Sequence, residues 1–373
     1  MKESKVLEVY MHGEHVGTLA ETREHLVAFE YSDEWIRNGF SLNPLSLPLR
    51  KGVFIPRKYD TFDGLFGVFA DSLPDGWGRL LVDRFMLENS INPAAVEPLG
   101  RLAIVGSSGM GALEYRPSNE FREAVSRISL DKMAAECAKI FESKKSEYLD
   151  ELFRLGGSSG GARPKINYEM DGEEWIVKFP SSIDRQEIGR EEYEYSLCAR
   201  KCGILMSDTK LIPSDLCGGY FATKRFDRES NQKVHMISVS ALLETSHRIP
   251  NLDYNILMQL TLKITQSYEE LEKLFRLMCF NVFSHNRDDH SKNFSYLYKD
   301  GTWELSPAYD LTYSNSIGGE HATAINGNGK NPNIKDVLAV AKNANMNEKK
   351  ACMIAEEIES IVYQDLSYWI RRN

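Results

Sequence analysis

Residues 285–293 read His-Asn-Arg-Asp-Asp-His-Ser-Lys-Asn, a polar run set between the apolar segments FNVF and FSYLY. No other stretch restricts the fold as much. An ionised side chain taken out of water needs an opposite charge or strong hydrogen bonds, because burying it unpaired costs more than local packing returns. The run must therefore sit in a loop that either faces a polar cleft or is held by partners from elsewhere in the chain. Asp288 and Asn293 stand five residues apart, and a further carboxylate follows at Asp310 inside the apolar stretch SPAYDLTYS. An Asp that orients a hydroxyl, followed by an Asn and a second Asp offering oxygen ligands to a hard divalent cation, is the arrangement that phosphoryl transfer requires.

Composition narrows the alternatives. A chain of 373 residues exceeds what one hydrophobic core serves, so two or three lobes are expected. A hydrophobic fraction of 42% describes a folded protein, and no stretch approaches the ~20 apolar residues that a membrane span needs. The N-terminus MKESKVLEVYMHGEHVG lacks the apolar segment of a secretory signal, which leads to the expectation of a cytoplasmic protein. Six cysteines are scattered without the paired spacing of a zinc site and read as small buried hydrophobes. A net charge of -9 disfavours direct, sequence-independent binding to nucleic acid.

Along the chain, VLEVYMHGEHVGTL predicts a hairpin around a His-Gly-Glu turn, HLVAFEYS another strand, and LPDGWGRLLVDRFM a turn feeding an amphipathic helix. Residues 129–145 predict a linker helix capped by Ser129. A glycine-rich loop, GGSSGGARPK (156–165), then leads into two strands joined by Asp171-Gly172, the second ending at Lys178. A helix stopped by Gly203 follows, then the strand in GGYFATKRFDR. Beyond residue 230 the pattern is helical, with a capping-box signature from Ser267 to Glu270 and a long amphipathic helix at the end.

Four features thus occur in order: a loop whose bare N–H groups suit phosphates, a strand lysine, an acidic helix, and the Asp/Asn/Asp set. Lys178 is placed to reach nucleotide phosphates, and Glu192 could hold it, with Glu191 and Glu194 as rivals on the same helix. A competing chemistry is a dinuclear zinc hydrolase using His285, Asp289 and His290, but Arg287 stands where a histidine should, and downstream histidines are few, chiefly His321. His285 and His290 also suit a structural role, bonding backbone or Asp288.

The segments VYMHGEHVGTL, FEYSDEWI, PLSLPL and FADSLPDGWGRLLVDR resemble the N-terminal subdomain of the HipA family of bacterial toxin kinases. GGSSGGARPK, IVKFP, EEYEYSLCARKCGI, KRFDR, HNRDDHSKNFSYL and LSPAYDLTYS resemble its kinase core in the same order. The resemblance implies an α+β, protein-kinase-like two-lobed fold with a β-rich N-terminal subdomain (1–125), an N-lobe with the glycine loop (126–228) and an all-α C-terminal lobe (229–373). It implies a Mg-ATP-dependent serine/threonine protein kinase, the toxin of a type II toxin–antitoxin system. In it Asp288 is the catalytic base, Asn293 and Asp310 hold Mg2+, and Lys178 contacts phosphate. Lys165 either contacts phosphate or stabilises the loop of Gly160 and Gly161, Lys224 and Phe226 mark the adenine-binding hinge, and His290 and Lys292 belong to the same motif as the base. Ser158, with Ser159 beside it, corresponds to a loop serine that is autophosphorylated and ejected with its loop. The implied partners are a HipB-like helix-turn-helix antitoxin, through which alone DNA is met, and a protein substrate such as an aminoacyl-tRNA synthetase. A catalytically silent co-repressor that keeps the fold is the alternative.

Overall fold

A computed structural model describes residues 5–118, 128–230 and 232–372. The chain divides into two compact units, one formed by residues 1–189, 211–237 and 241–245, the other by 190–210, 238–240 and 246–373. The expected boundary between 125 and 126 lies outside the described residues.

The first unit opens with a five-stranded antiparallel sheet whose order is Val53–Phe54, Val27–Tyr31, Glu14–Glu21, Val6–Met11, Glu114–Arg116. Alternation explains its first hairpin. Leu7, Val9 and Met11 are buried while their neighbours are not, and His12 and Gly13 take the turn at φ 52° and 81°, the two positive values that a tight hairpin requires. The same device recurs at Asp171 and Gly172 (φ 56° and 76°), joining the strands Lys165–Met170 and Glu173–Lys178. The latter pairs in turn with Tyr220–Lys224.

This second sheet is covered by helices. Ile166, Trp175, Val177 and Ala222 share one core cluster with Trp77 and Leu81 of the helix Gly76–Glu88, Met133 and Cys137 of the helix Leu130–Phe141, and Leu152 of the helix Leu149–Gly156. Each of the larger aliphatic side chains among them contributes about 1.5–3 kcal/mol when withdrawn from water. The helix at 130–141 begins at Ser129, whose hydroxyl accepts from Lys132 N–H, as expected. It is not a linker, however: its apolar face closes the core over the sheet, because an amphipathic pattern states that a face is buried without stating against what.

In the second unit the helix Tyr268–Phe283 buries Leu271, Leu274, Phe275, Met278 and Val282, and packs against the helices Tyr254–Thr265 and Glu348–Arg372. Ser267 caps it, accepting from Glu270 N–H. The reciprocal half of the expected capping box goes elsewhere, since the Glu270 carboxylate accepts from Leu305 N–H at 2.7 Å. That amide belongs to the antiparallel hairpin Ser295–Lys299/Thr302–Leu305, which, with the short parallel pair Leu252–Asp253/Thr323–Ala324, interrupts the mainly helical second unit. The helix Ile188–Lys201 is fastened to the C-terminal helix by Lys201–Asp365 (2.6 Å) and by the Trp369 indole N–H donating to Glu194 (2.7 Å). No helix among the described residues is long and apolar enough to cross a membrane.

Candidate active site

In the first unit the glycine loop is packed rather than open. Trp77 N–H donates to Gly161 O at 2.9 Å, and the Asp75 carboxylate accepts from Gly161 N–H. Asp75 occupies the cap position of the helix Gly76–Glu88 but makes no side-chain cap bond there; its carboxylate holds the loop instead. Ser158 and Ser159 are both buried, at 8% and 5% exposure, and Ser159 Oγ donates to Gly156 O at 2.6 Å. Both serines are thus largely withdrawn from solvent in this conformation.

Lys165 and Lys178 are directly opposed across the hairpin, so their side chains leave the same face of the sheet. Two like charges so placed repel, which makes the face receptive to anions. Lys178 Nζ lies 5.5 Å from the centre of the Phe221 ring. Lys165 is buried and its amine runs beneath the loop: a Cβ at residue 161 would stand 2.5 Å from Lys165 Nζ. Gly161 also has φ +84°. Gly161→Ala is therefore expected to cost about 1–2 kcal/mol for the left-handed backbone and to displace the Lys165 amine, read as a lowered urea midpoint at unchanged slope.

Lys224 is not brought to that face. It opposes Trp175, three positions from the Lys178–Phe221 pair, and an odd offset along a pleated strand puts its side chain on the other side, where it pairs with Glu173. Beyond it the chain at Phe226 is flanked by a buried network, with Asp227 accepting from Arg225, Arg228 and Gly111 N–H. Glu192 is buried on the helix Ile188–Lys201 and falls in the second unit, whereas Lys178 falls in the first.

The remaining residues share the second unit. Asp288 is exposed, its side chain 59% accessible, and His290 Nε2 stands 3.8 Å away. Asn293 Nδ2 donates to Asp288 O at 2.7 Å, which commits the nitrogen end of the amide and leaves Oδ1 as its acceptor. His290 caps the short turn Ser291–Asn293, its Nδ1 accepting from Lys292 N–H at 3.2 Å, and the Lys292 carbonyl accepts from Tyr309 OH at 2.6 Å. Tyr309 OH also meets Ser295 Oγ. Asn286 bridges to Ser314, and Ser314 N–H donates to His285 O. The 285–293 loop is thus stitched to the segment carrying Asp310. Asp310 is half-buried with φ 53°, a left-handed conformation that aspartate tolerates better than most residues. Burial, with the Arg287 guanidinium beside it, holds His285 below the ordinary imidazole value, so the ring is neutral at pH 7.

Sequence reasoning missed two members. Glu191, weighed only as a rival of Glu192, is buried and accepts from Thr312 Oγ1 at 3.3 Å, tying its helix to the segment after Asp310. Asp289, weighed only as a zinc ligand, is buried beside the exposed Asp288, and its carboxylate accepts from Tyr254 OH (3.0 Å), His321 Nδ1 (2.9 Å) and Thr323 N–H (3.1 Å). With those bonds in place Asp289 is engaged by protein donors. The group of three possible metal ligands found among the described residues is Glu21, His25 and Glu97, far from this loop in sequence. The family resemblance assigns the base to Asp288, and nothing within a few positions of Asp289 signals that it would be buried.

Two family models match the chain. A HipA N-terminal domain matches residues 7–116 and a HipA-like C-terminal domain residues 157–365. A Sinorhizobium fredii protein named "Putative kinase Y4dM" is 28% identical over 351 residues, covering 87% of this chain and 81% of its own. One chain of the solved Shewanella oneidensis MR-1 toxin–antitoxin complex of HipA, HipB and operator DNA superposes with a TM-score of 0.71 at 18% identity, covering 98% of this chain and 91% of that one, and so shares its fold. The C-terminal match alone spans more than half of the residues, and the chain belongs to the HipA family.

Proposed function

We propose that this protein is a cytoplasmic, Mg-ATP-dependent serine/threonine protein kinase of HipA type, the toxin of a type II toxin–antitoxin pair. The observation that carries the reading is the stitching of the Asp288–Asn293 loop to the Asp310 segment within one compact unit. Opposed Lys165 and Lys178 beside a glycine loop add an anion-receptive face in the other unit. In this reading Asp288 accepts the proton of the substrate hydroxyl and holds its oxygen in line for attack. Lys178 and Lys165 offset charge on the phosphates.

The donor set fits a hard divalent ion: Asn293 keeps an amide oxygen after its nitrogen is committed, and Asp310 supplies a carboxylate. Mg2+ bound there would neutralise charge on the transferring group. Ser158 or Ser159 is the intramolecular acceptor. Because both are buried, the loop must leave its packed position to be phosphorylated, and a dianion could not return to it. The Shewanella complex supports a HipB-like antitoxin as partner; in this reading the antitoxin is a helix-turn-helix protein and DNA is met through it. A protein of the translation machinery, such as an aminoacyl-tRNA synthetase, is the proposed substrate.

Pure protein incubated with Mg-ATP is expected to gain one phosphate on the peptide containing Ser158 and Ser159, read by intact-mass and peptide mass spectrometry. Absence of both the mass gain and ATP binding would overturn the kinase reading and favour a silent co-repressor.

A further inference from the structure

We propose that Asp289 is a positioning residue, the buried peg that aims Asp288; this rests on the kinase reading. Asp288 is exposed, its side chain 59% accessible, and the backbone on either side of it fixes where that side chain starts. Both sides are pinned to one short segment. Before Asp288, the Arg287 carbonyl accepts from Ala322 N–H at 3.1 Å. After it, Asp289 O accepts from Thr323 Oγ1 at 2.5 Å, while the Asp289 carboxylate takes His321 and Thr323 N–H.

A third anchor comes from a helix. Tyr254 OH donates to Asp289 Oδ2 and accepts from Asn281 Nδ2 at 3.0 Å, and Asn281 Oδ1 accepts from Asn286 Nδ2 at 2.9 Å. The relay therefore returns to the loop two residues before Asp288. Burial, reinforced by the Asp289 charge, keeps the Tyr254 phenol well above its ordinary value, so it remains a donor at neutral pH. All three groups facing the Asp289 carboxylate are donors. Only an acceptor at both oxygens satisfies them, and an asparagine of the same shape would set its NH2 against one of them.

The test compares wild type, Asp289→Asn and the milder Tyr254→Phe. A shift of about 1 Å in a reacting group can cost on the order of 10²-fold in rate, and a loss of that size in phosphoryl transfer at unchanged ATP affinity is expected for Asp289→Asn, with a smaller loss of the same kind for Tyr254→Phe. Hydrogen exchange, which needs no activity, is expected to quicken at 285–293 and 320–323 while the helix Glu348–Arg372 keeps its protection. Wild-type transfer rates in Asp289→Asn, or exchange quickened evenly across 246–372, would overturn the proposal. If the wild type itself transfers no phosphate, the kinase reading falls, and the exchange pattern alone decides whether Asp289 holds the loop.

Discussion

Replacing Asp288 by alanine is expected to slow phosphoryl transfer to protein by about 10²–10⁴-fold, the span over which a positioned general base acts, while the folded state is barely disturbed. Stability should survive because of how the residue is used. Its carboxylate is 59% accessible, with the imidazole of His290 3.8 Å away, so its interactions are made at a solvated surface where they contribute little. The bond that matters to the loop runs from Asn293 to the Asp288 carbonyl, which alanine retains. An exposed substitution of this kind stays within about 0.5 kcal/mol. Time courses of phosphate incorporation by mass spectrometry, set beside urea unfolding, separate the two quantities. A variant that transfers at the wild-type rate would remove Asp288 from the chemistry, and one that unfolds much more readily would make it a structural residue.

The contrast between Asp288 and Asp289 also marks how far the sequence could be read. Local signals were legible: the alternation of Leu7, Val9 and Met11 about His12-Gly13, the Ser129 and Ser267 caps, and the Asp171-Gly172 turn each depend on residues within a few positions. The resemblance to the family likewise rested on motif order, which the domain matches at 7–116 and 157–365 follow. What stayed hidden depends on partners distant in the chain. Adjacent aspartates are chemically identical as letters, and their opposite fates are decided by Tyr254, His321 and Thr323. Glu270 prefers the Leu305 amide 35 residues away to its own cap. The glycine-rich loop, read for its bare N–H groups, gives one of them, at Gly161, to Asp75, 86 residues upstream. Side-chain carboxylates go to whichever buried donor would otherwise be left unsatisfied, and which donor that is follows only from tertiary structure.

Asp227→Ala carries the largest expected loss of stability, about 3–5 kcal/mol, because it strips the buried anion from an ionic cluster and leaves Arg225 and Arg228 with the half-exposed Glu174 as their counter-charge. The Asp227 side chain is wholly buried, with Arg225 2% and Arg228 10% accessible. Arg225 approaches at 2.8 and 3.0 Å, Arg228 at 2.9 Å and Gly111 N–H at 2.8 Å. Burial alone would push the carboxyl up, but Arg225 and then Arg228 outweigh it and hold it at about 2, below the ordinary 3.8. The sign follows. A carboxyl depressed in the folded state contributes its stability above the unfolded value and loses it as protons bind. The contribution, about 2 kcal/mol for a depression of this size, should therefore be complete above pH 3.8 and fade as pH falls through about 2. Urea unfolding of wild type, Asp227→Ala and Asp227→Asn at neutral pH and across that acid window tests both parts. The wild-type advantage over Asp227→Asn must shrink on acidification, since the amide has no proton to gain there; an advantage that is constant with pH would mean that packing, and not the charge on Asp227, holds the segment after the strand Tyr220–Lys224.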